Sequence, residues 1–203
     1  MIENNIKMKN IENSSTPLVS IIILNYNAGN LLLDCVDSIQ QTNYDNYEII
    51  VVDNNSTDES HVECSKKFPT ISLIENTENL GYCGGNNVGI KEAKGDYIII
   101  LNPDTLVDPN WIKELILSYE KHGDGLYQPK FLTTTDHNTL MSTGNMIHLF
   151  GFGFSRSKGE FDDDKFNEHE IIGYASGTCL FSKLKTFKKL KQKSQLKIMM
   201  EAI

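Results

Sequence analysis

The chain has 203 residues, which is enough for one well-buried domain and short for two. It carries 19 basic and 27 acidic residues, and the resulting net charge of −8 argues against nucleic acid as a partner. The 4 cysteines show neither zinc-site nor disulfide spacing, which favours a reducing, cytoplasmic location. No apolar run approaches the roughly 18 residues that a membrane span needs, so we expect no transmembrane segment.

The first apolar segment, residues 19–24, predicts a strand buried on both faces. We expect the polar leader before it, residues 1–16, to be disordered because Asn, Ser and Lys are frequent in it. Apolar residues at helical spacing then predict an amphipathic helix to about Gln41, with Asn30 as its N-cap. Between strand and helix lies a polar turn that is a candidate ligand edge, formed by Asn25, Tyr26 and Asn27.

A second predicted strand, residues 47–52, ends in a dense run of side-chain acceptors at residues 53–60. Ser56 or Thr57 is the expected N-cap of a short helix that follows. Asp53 precedes these capping residues, and capping of the helix does not account for its carboxylate. A carboxylate at that position can accept hydrogen bonds from a ribose or a base edge.

A third strand, residues 71–74, leads through a polar loop to a helix start that is rich in glycine. Gly84 and Gly85 let a backbone approach a ligand closely, at a place where free N–H groups favour anions. The alternative is that these glycines serve only a tight turn and close helix packing. The spacing differs from Gly-x-Gly-x-x-Gly, so it gives little support to a dinucleotide site.

Residues 98–101 predict the central strand, because a continuous aliphatic run suits burial on both faces of a sheet. Asn102 and Asp104 follow this strand, and Pro103 between them stops ladder pairing. Two oxygen ligands at such a strand end can hold a hard divalent ion together with water and substrate phosphates. The alternative is a simple turn in which Asp104 caps the next helix.

The alternation of strand and helix stops after a helix that opens near Asp108. Residues 125–131 and 140–150 predict strands of a mixed or antiparallel portion, and residues 151–170 predict a polar, mobile loop. The acidic run at residues 162–164 is expected to be a solvated part of this loop, because no strand delivers it.

The last part of the chain is lysine-rich, with seven lysines between residues 183 and 197. This segment predicts either a solvated helix or a basic amphipathic helix that contacts an anionic membrane surface.

Polar or glycine-rich segments thus follow four successive predicted strands. In a doubly wound, mostly parallel α/β sheet those strand ends share one edge. The implied ligand is a nucleotide diphosphate, with Asp53 on the nucleoside, the glycine turn near the sugar or phosphate, and Asn102 and Asp104 around a metal.

Four ordered motifs of the chain resemble those of family 2 glycosyltransferases with the GT-A fold, namely residues 19–27, 51–58, 78–89 and 101–105. The rhamnosyltransferase-like branch, in which Asn-Pro-Asp replaces Asp-x-Asp, is the most similar. The resemblance covers about residues 17–182, and we expect the domain to span residues 17–190.

This resemblance implies a nucleoside-diphosphate sugar donor of the dTDP-rhamnose or UDP-sugar type, Mg²⁺ or Mn²⁺, and inversion at the anomeric carbon. Asp104 is then the principal metal ligand, and the neutral Asn102 a weaker one, directly or through water. Ser176 and Gly177 resemble the acceptor-side loop. The residues expected to bind the nucleotide are Asn25, Tyr26, Asn27, Asp53, Asn55, Gly81, Gly84, Asn86 and Asn87.

The implied acceptor is a saccharide or a lipid-linked glycan, within cell-surface polysaccharide or glycan biosynthesis. The expected location is the cytoplasm, with peripheral contact to the inner face of the plasma membrane as a further option.

The chain departs from the family pattern after Leu190. Such enzymes continue with a Gly-Gly-Phe-Asp segment and a Glu-Asp pair that supplies the general base, whereas residues 191–195 read Lys-Gln-Lys-Ser-Gln. The catalytic base is therefore unassigned, and residues 191–203 are expected to be an atypical tail of a truncated product. The alternative function is a catalytically impaired nucleotide-sugar binding module. A glycoside hydrolase is disfavoured, since paired carboxylates explain neither Asn102 nor the glycine turn.

Overall fold

A computed structural model of the protein describes residues 16–192. The strands are β1 (Val19–Asn25), β2 (Tyr47–Asp53), β3 (Ser72–Glu75), β4 (Tyr97–Leu101), β5 (Phe131–Leu132), β6 (Leu140–Ser142), β7 (Asn145–Ile147), β8 (Gly153–Ser155) and β9 (Cys179–Lys183). The helices are α1 (Asn30–Gln40), α2 (Ser60–Lys67), α3 (Gly81–Glu92), α4 (Trp111–His122) and α5 (Leu184–Gln192), and Asp164–Phe166 form a 3₁₀ turn.

Five strands form one sheet in the order β3-β2-β1-β4-β9. Strands β1 to β4 are parallel, and β9 pairs antiparallel with β4. The predicted mostly parallel sheet with an antiparallel C-terminal portion is confirmed. The central strand, however, is β1, whereas the predicted central strand is β4, between β1 and β9. Both strands are almost entirely buried, so apolar content alone does not distinguish the two positions.

Alternate strand residues enter two separate cores, because successive side chains of a strand point to opposite faces. The larger core packs against α1, α2 and α4, and its buried strand residues are Val19, Ile21, Ile23, Ile49, Val51, Tyr97, Ile99, Leu101, Cys179 and Phe181. The smaller core packs against α3 and α5, and its strand residues are Ile22, Ile50, Val52, Ile98 and Ile100. Each buried side chain of this kind contributes about 1.5–3 kcal/mol, so the strand register is strongly specified.

Two short antiparallel pairs lie between α4 and β9, namely β5 with β6 and β7 with β8. The predicted strand over residues 125–131 is too long, since only Phe131–Leu132 pairs with β6. The predicted strand over residues 140–150 is divided into β6 and β7 at Gly144, which has a φ of +130°. The predicted loop over residues 151–170 contains β8, which escaped prediction because it has only three residues and one of them, Gly153, disfavours strands.

The first two helices do not start as predicted. Gly29, in a positive-φ conformation, precedes α1, so Asn30 is the first helical residue rather than the N-cap. Glu59 is the N-cap residue of α2, whereas Ser56 or Thr57 is predicted in that role. The reason is that Asp58 accepts hydrogen bonds from the backbone N–H and the hydroxyl of the first helical residue.

The predicted leader lies outside the described residues except for Thr16, as does the predicted tail except for the helical backbone of residues 191–192. The described part of the lysine-rich segment forms α5. Among residues 16–192, no helix is both long and apolar enough to cross a membrane.

Close packing of α3 on the sheet is testable by replacing Gly89 with alanine. We expect the free energy of unfolding to fall by roughly 1–3 kcal/mol, because the added Cβ meets Ile22 Cγ2 at 2.5 Å and Val52 Cγ2 at 3.1 Å. The higher helix propensity of alanine opposes this effect by only about 1 kcal/mol. Chemical denaturation followed by circular dichroism measures the change.

Gly125→Ala is a suitable control, since its added Cβ has only an ordinary contact of 3.6 Å, to Tyr127. If the two variants were equally stable, α3 would not lie as close to the sheet as described.

Candidate functional site

The polar segments after β1, β2, β3 and β4 lie at one edge of the sheet, because these strands are parallel. Asn25 and Asp53 are register partners at this edge, as are Asp53 and Glu75. Strands β2 and β4 flank β1, so their ends lie roughly 10 Å apart, given the usual spacing between strands. The edge is therefore compact enough for one nucleotide diphosphate to contact several strand ends.

A buried polar cluster connects the ends of β1 and β2. The Asn25 amide donates to Asp53 Oδ1 at 2.8 Å, to Ser60 Oγ at 3.0 Å and to Ser56 Oγ at 3.1 Å. Asp53 also accepts from the Ser56 hydroxyl at 2.6 Å and from the Ser56 backbone N–H at 2.9 Å. Asp53 does not cap α2, in line with the prediction, but it is only 2% exposed and its carboxylate organises the loop after β2. Contact between Asp53 and a nucleoside stays a prediction.

His61 belongs to the same cluster, although its sequence context gave no signal. Its Nδ1 lies 3.4 Å from Asp53 Oδ1, and its Nε2 lies 3.3 Å from Glu75 Oε1. The imidazole is nearly buried, at 7% exposure, between the two strand ends. It therefore packs beside the same Asp53 oxygen that the Asn25 amide contacts, although its Nδ1 forms no hydrogen bond with any described residue.

The loops after β1 and β2 are also joined by hydrogen bonds closer to solvent. Asn27 Oδ1 accepts from the Thr57 N–H at 2.8 Å, and the Asn27 N–H donates to Ser56 Oγ at 2.9 Å. The Gly29 N–H donates to Asp58 Oδ2 at 2.8 Å. Because of these bonds, the two loops form one rim rather than two independent segments.

Asn54 attaches the loop before α3 to the same rim. Its amide N–H group donates to Asn79 Oδ1 at 3.0 Å and to the Gly81 carbonyl at 3.2 Å. Its carbonyl oxygen accepts from the Asn76 amide at 2.9 Å and from the Leu80 N–H at 3.3 Å. In the sequence, Asn54 is only one member of an acceptor-rich run. In the structure it is 1% exposed and organises the glycine turn.

The glycine turn, which comprises residues 81–85 at the start of α3, serves packing at one glycine and leaves open space at another. A Cβ on Gly85 would lie 2.2 Å from Leu24 Cδ1, so the packing alternative holds for this glycine. Gly81 has a φ of +69° and open space beside it. The Asn86 amide donates to the Tyr82 carbonyl at 2.9 Å, while its buried Oδ1 has no hydrogen-bond partner. Contact between Asn86 and a nucleotide stays a prediction.

Three separate segments hold the loop at residues 176–178, which we call the acceptor-side loop. The Tyr82 hydroxyl donates to the Gly177 carbonyl at 2.6 Å. The Asn102 N–H donates to the Thr178 carbonyl at 2.9 Å. Gln128 Oε1 accepts from the Ser176 N–H at 2.6 Å. The glycine turn and the end of β4 thus both contact this loop.

Tyr82 explains the glycine in that loop. A Cβ on Gly177 would lie 2.7 Å from the Tyr82 hydroxyl oxygen, so a larger residue would displace the phenol. Although parts of the ring are exposed, desolvation of the phenol raises the pKa of Tyr82 to about 12. The hydroxyl therefore stays protonated and remains a donor at neutral pH.

The predicted metal segment follows β4 at the same edge. Asp104 is exposed and Asn102 is half-buried. Beneath them, burial raises the pKa of the Cys35 thiol to about 12, and the negative charge of Asp104 acts in the same direction. Cys35 is therefore a protonated core residue whose Sγ lies 3.7 Å from the Asn102 carbonyl oxygen.

The donor set fits a metal that is held partly by its substrate. Within residues 16–192, no group of three or more His, Cys, Asp or Glu side chains could hold an ion. One carboxylate and one amide oxygen do suit Mg²⁺ or Mn²⁺, which commonly take their other ligands from water and phosphate. Asp162, from the acidic run, instead pairs with Lys130 at 2.7 Å.

The structure thus brings most of the predicted residues into one hydrogen-bonded rim. Tyr26 and Asn55 are exposed and form no side-chain hydrogen bond with any residue of the described chain. Residues that sequence reasoning missed are His61, Asn54, Tyr82 and Gln128. Position between two predicted glycines could have drawn attention to Tyr82, whereas nothing in the sequence singles out Gln128.

The chain is similar in sequence to known proteins. Residues 20–191 match the family model described as Glycosyl transferase family 2. An uncharacterized glycosyltransferase from Haemophilus influenzae is 37% identical over 109 residues, which are 52% of this chain and 34% of that protein. The O-antigen biosynthesis protein RfbC from Myxococcus xanthus is 31% identical over 141 residues, which are 68% of this chain and 11% of that protein.

Solved structures show the same fold. Residues 1–349 of TarS from S. aureus, in complex with UDP-GlcNAc, superpose with a TM-score of 0.63 at 18% identity, over 85% of this chain and 47% of that chain. A mannosyltransferase from Pyrobaculum calidifontis, in complex with GDP-Man and Mn²⁺, has a TM-score of 0.50 at 21% identity, over 62% and 41% of the two chains. The predicted GT-A fold is confirmed. This chain spans less than half the length of each of these four proteins.

The attachment of the acceptor-side loop is testable with Tyr82→Phe. Loss of the hydroxyl removes the hydrogen bond to the Gly177 carbonyl, so we expect the free energy of unfolding to fall by roughly 0.5–1.5 kcal/mol. Tyr47→Phe is the matched control, because the Tyr47 hydroxyl forms no hydrogen bond within the described chain. Equal losses in the two variants, measured by chemical denaturation, would mean that the phenol does not hold the loop.

Proposed function

The chain belongs to glycosyl transferase family 2, and on this basis we propose that it transfers a sugar from a nucleoside diphosphate to a saccharide or lipid-linked glycan acceptor. The proposed donor is of the dTDP-rhamnose or UDP-sugar type, and the proposed outcome is inversion at the anomeric carbon. The similarity to a protein of O-antigen biosynthesis supports a role in cell-surface polysaccharide assembly.

One observation carries this proposal: the acceptor-side loop is hydrogen-bonded both to the glycine turn and to the end of β4. Tyr82 contributes the first bond and Asn102 the second. A donor bound along the sheet edge and an acceptor bound at the loop would then be adjacent. Adjacency of two reactants is what a direct displacement requires, because it converts a bimolecular step into one within a single complex.

The rim formed by the loops after β1 and β2 is the proposed nucleoside side. The hydrogen bond between the buried Asn25 and Asp53 stabilises this rim. The exposed Tyr26 and Asn55 are available to contact a nucleoside. Asn86, with its unsatisfied Oδ1, is the proposed contact nearer the sugar or phosphate. The net charge of −8 implies that an anionic sugar donor is held by local N–H and O–H groups and a cation rather than by a general positive field.

Asp104 is the proposed principal metal ligand, and Asn102 the second, directly or through water. When Mg²⁺ or Mn²⁺ is bound, its charge stabilises the departing diphosphate. Asp104 suits this role because it is an exposed carboxylate next to the loop that Asn102 anchors.

A second candidate function is a nucleotide-sugar binding module with impaired catalysis. It is favoured by residues 191–195, whose sequence lacks the pattern that the family resemblance predicts at that point. A missing general base typically lowers a rate by about 10²- to 10⁴-fold while leaving donor binding in place.

Donor binding is testable by thermal shift with UDP, dTDP and GDP, each with and without Mn²⁺. We expect at least one nucleotide to raise the melting temperature, and Mn²⁺ to increase that shift. Asp104→Ala should remove the Mn²⁺-dependent part, because it removes the principal ligand. Asp53→Ala should weaken the shift in both conditions, because it removes the group that shapes the rim.

Asp163→Ala is the control, since this exposed carboxylate belongs to the acidic run rather than to the sheet edge. Unchanged shifts in both the Asp104 and the Asp53 variants would contradict the assignment of the site.

Turnover distinguishes the two candidate functions. A transferase should hydrolyse or transfer a nucleotide sugar in the presence of Mn²⁺, and Asp104→Ala should lower that rate at least about tenfold. A binding module should show the thermal shift with no release of nucleoside diphosphate. Release of nucleotide at the same rate in wild type and Asp104→Ala would contradict the proposed metal site.

A further inference from the structure

The β7–β8 hairpin, residues 145–155, exposes more apolar surface than any function proposed so far explains. Its large apolar side chains and their exposed fractions are Ile147 at 59%, Leu149 at 92%, Phe150 at 77%, Phe152 at 71% and Phe154 at 50%. Contiguous exposed apolar residues of this kind mark interaction sites for proteins or membranes. We call this segment the apolar hairpin.

The composition of its turn is unusual. The Gly151 N–H donates to the His148 carbonyl at 2.8 Å, which closes a β-turn with Leu149 and Phe150 at its two central positions. Such positions are normally occupied by Gly, Asn, Asp, Pro or Ser, which suit solvent and tight geometry. The most exposed point of the hairpin therefore carries its two most exposed apolar side chains.

We propose that the apolar hairpin inserts into the interfacial region of a lipid bilayer. Residues 137–155 contain no Asp, Glu, Lys or Arg, so insertion of the hairpin carries no charged side chain into lipid. Beyond the Ile147–Gly153 pair, where Tyr174 packs against Gly153, the tip extends roughly 5–7 Å, given the rise per residue of a strand. Interfacial elements typically penetrate about 5–10 Å, so this length fits shallow insertion.

Hydrogen bonds within the hairpin pair many of its backbone N–H and C=O groups, as a lipid environment requires. Register pairs join Met146 with Phe154 and Ile147 with Gly153. At the tip, the His148 N–H donates to the Phe152 carbonyl at 2.8 Å, and the Phe150 N–H lies 3.3 Å from His148 Nδ1. Unpaired backbone groups are the main cost of placing a peptide in lipid, and these bonds remove much of it.

The distribution of side chains favours lipid over a protein partner. Phe152 and Phe154 lie on one face of the hairpin, Ile147 lies on the other, and Leu149 and Phe150 extend from the tip. A flat protein surface would cover one face only, whereas the interior of a bilayer surrounds all of them. The occupant to which this geometry commits is therefore a lipid surface.

The base of the hairpin is firmly attached to the domain. Asn145, which is 6% exposed, accepts at its carbonyl from the Gly173 N–H at 2.7 Å and donates from its amide to Gln128 Oε1 at 3.4 Å. Arg156 donates to the Thr143 carbonyl at 3.0 Å and forms an ion pair with Glu170. Insertion of the tip would consequently hold the whole domain at the membrane.

Gln128 connects the base of the hairpin to the acceptor-side loop. The same Gln128 oxygen accepts from the Ser176 N–H, so the hairpin base adjoins the acceptor-side loop. If the proposed function holds, a lipid-linked acceptor would meet this loop at the bilayer surface. Vesicle binding itself needs no turnover, so a failure of membrane binding and a failure of transferase activity are distinguishable.

Co-sedimentation of the full 203-residue chain with vesicles of phosphatidylcholine and phosphatidylglycerol tests the proposal. We expect the wild type to sediment with vesicles and the triple variant Leu149→Ser/Phe150→Ser/Phe152→Ser to bind at least about tenfold more weakly, because three apolar groups lose their burial. Phe161→Ser/Ile171→Ser is the matched control, since these residues are 74% and 90% exposed but lie outside the hairpin. Binding should persist at raised salt, whereas loss of binding would indicate the lysines of α5 instead.

A second measurement is independent of the serine variants. Phe150→Trp should show a blue shift of its emission on addition of the same vesicles, while Trp111, which is 7% exposed, should contribute no change. The proposal is overturned if the wild type stays in the supernatant, or if the control variant loses as much binding as the triple variant. It is also overturned if size-exclusion chromatography shows hairpin-dependent self-association without vesicle binding, because a second copy is then the occupant.

Discussion

The register of three parallel strands decides where every polar group of the candidate site lies. Strand β1 pairs with β2 from Val19 opposite Tyr47 to Asn25 opposite Asp53, and with β4 from Val19 to Ile23, which lies opposite Leu101. A slip of one residue would turn Ile21 and Ile23 from the larger core to the smaller one, so burial on both faces forbids it. Because the apolar runs end together, their polar continuations meet at a single edge.

At that edge, the residue types expected to bind a ligand also stabilise the protein itself. The buried cluster of Asn25, Asp53, Ser56 and Ser60 satisfies a carboxylate that would otherwise be costly to bury. The Asn54 side chain stabilises the loop before α3 in a similar way, through four hydrogen bonds. In the proposed site, ligand contact would then fall to groups outside this framework, such as the exposed Asn55 and the unsatisfied Asn86 oxygen. A rigid inner layer that positions a more accessible outer layer is what a preorganised binding site requires.

The acceptor-side loop connects this framework to the rest of the molecule. Tyr82, Asn102 and Gln128 each hold one of its residues, and Gln128 also contacts Asn145 at the base of the apolar hairpin. The proposed donor edge, the acceptor side and the proposed membrane contact therefore form a continuous series of hydrogen-bonded segments. For a transferase that acts on a lipid-linked glycan, this continuity would fix the height of the reaction above the bilayer.

The sequence by itself determined the types of the main elements and the edge at which they end. Period and length of the apolar runs identify β1 to β4 and the helices between them, because burial acts on each segment locally. The same patterns did not identify β1 as the central strand, since β4 is equally apolar. They did not find the short strand β8 either, since its Gly153 carries little strand preference.

Only the tertiary structure decided which acceptor turns inward and which stays exposed. Asp53 is buried by Asn25 and His61 from other elements, while Asn55, two residues later, faces solvent. Tyr82 and Gly177 meet across 95 positions of sequence. Partners so far apart are selected by the packing of whole elements, and no local pattern in the chain records that choice.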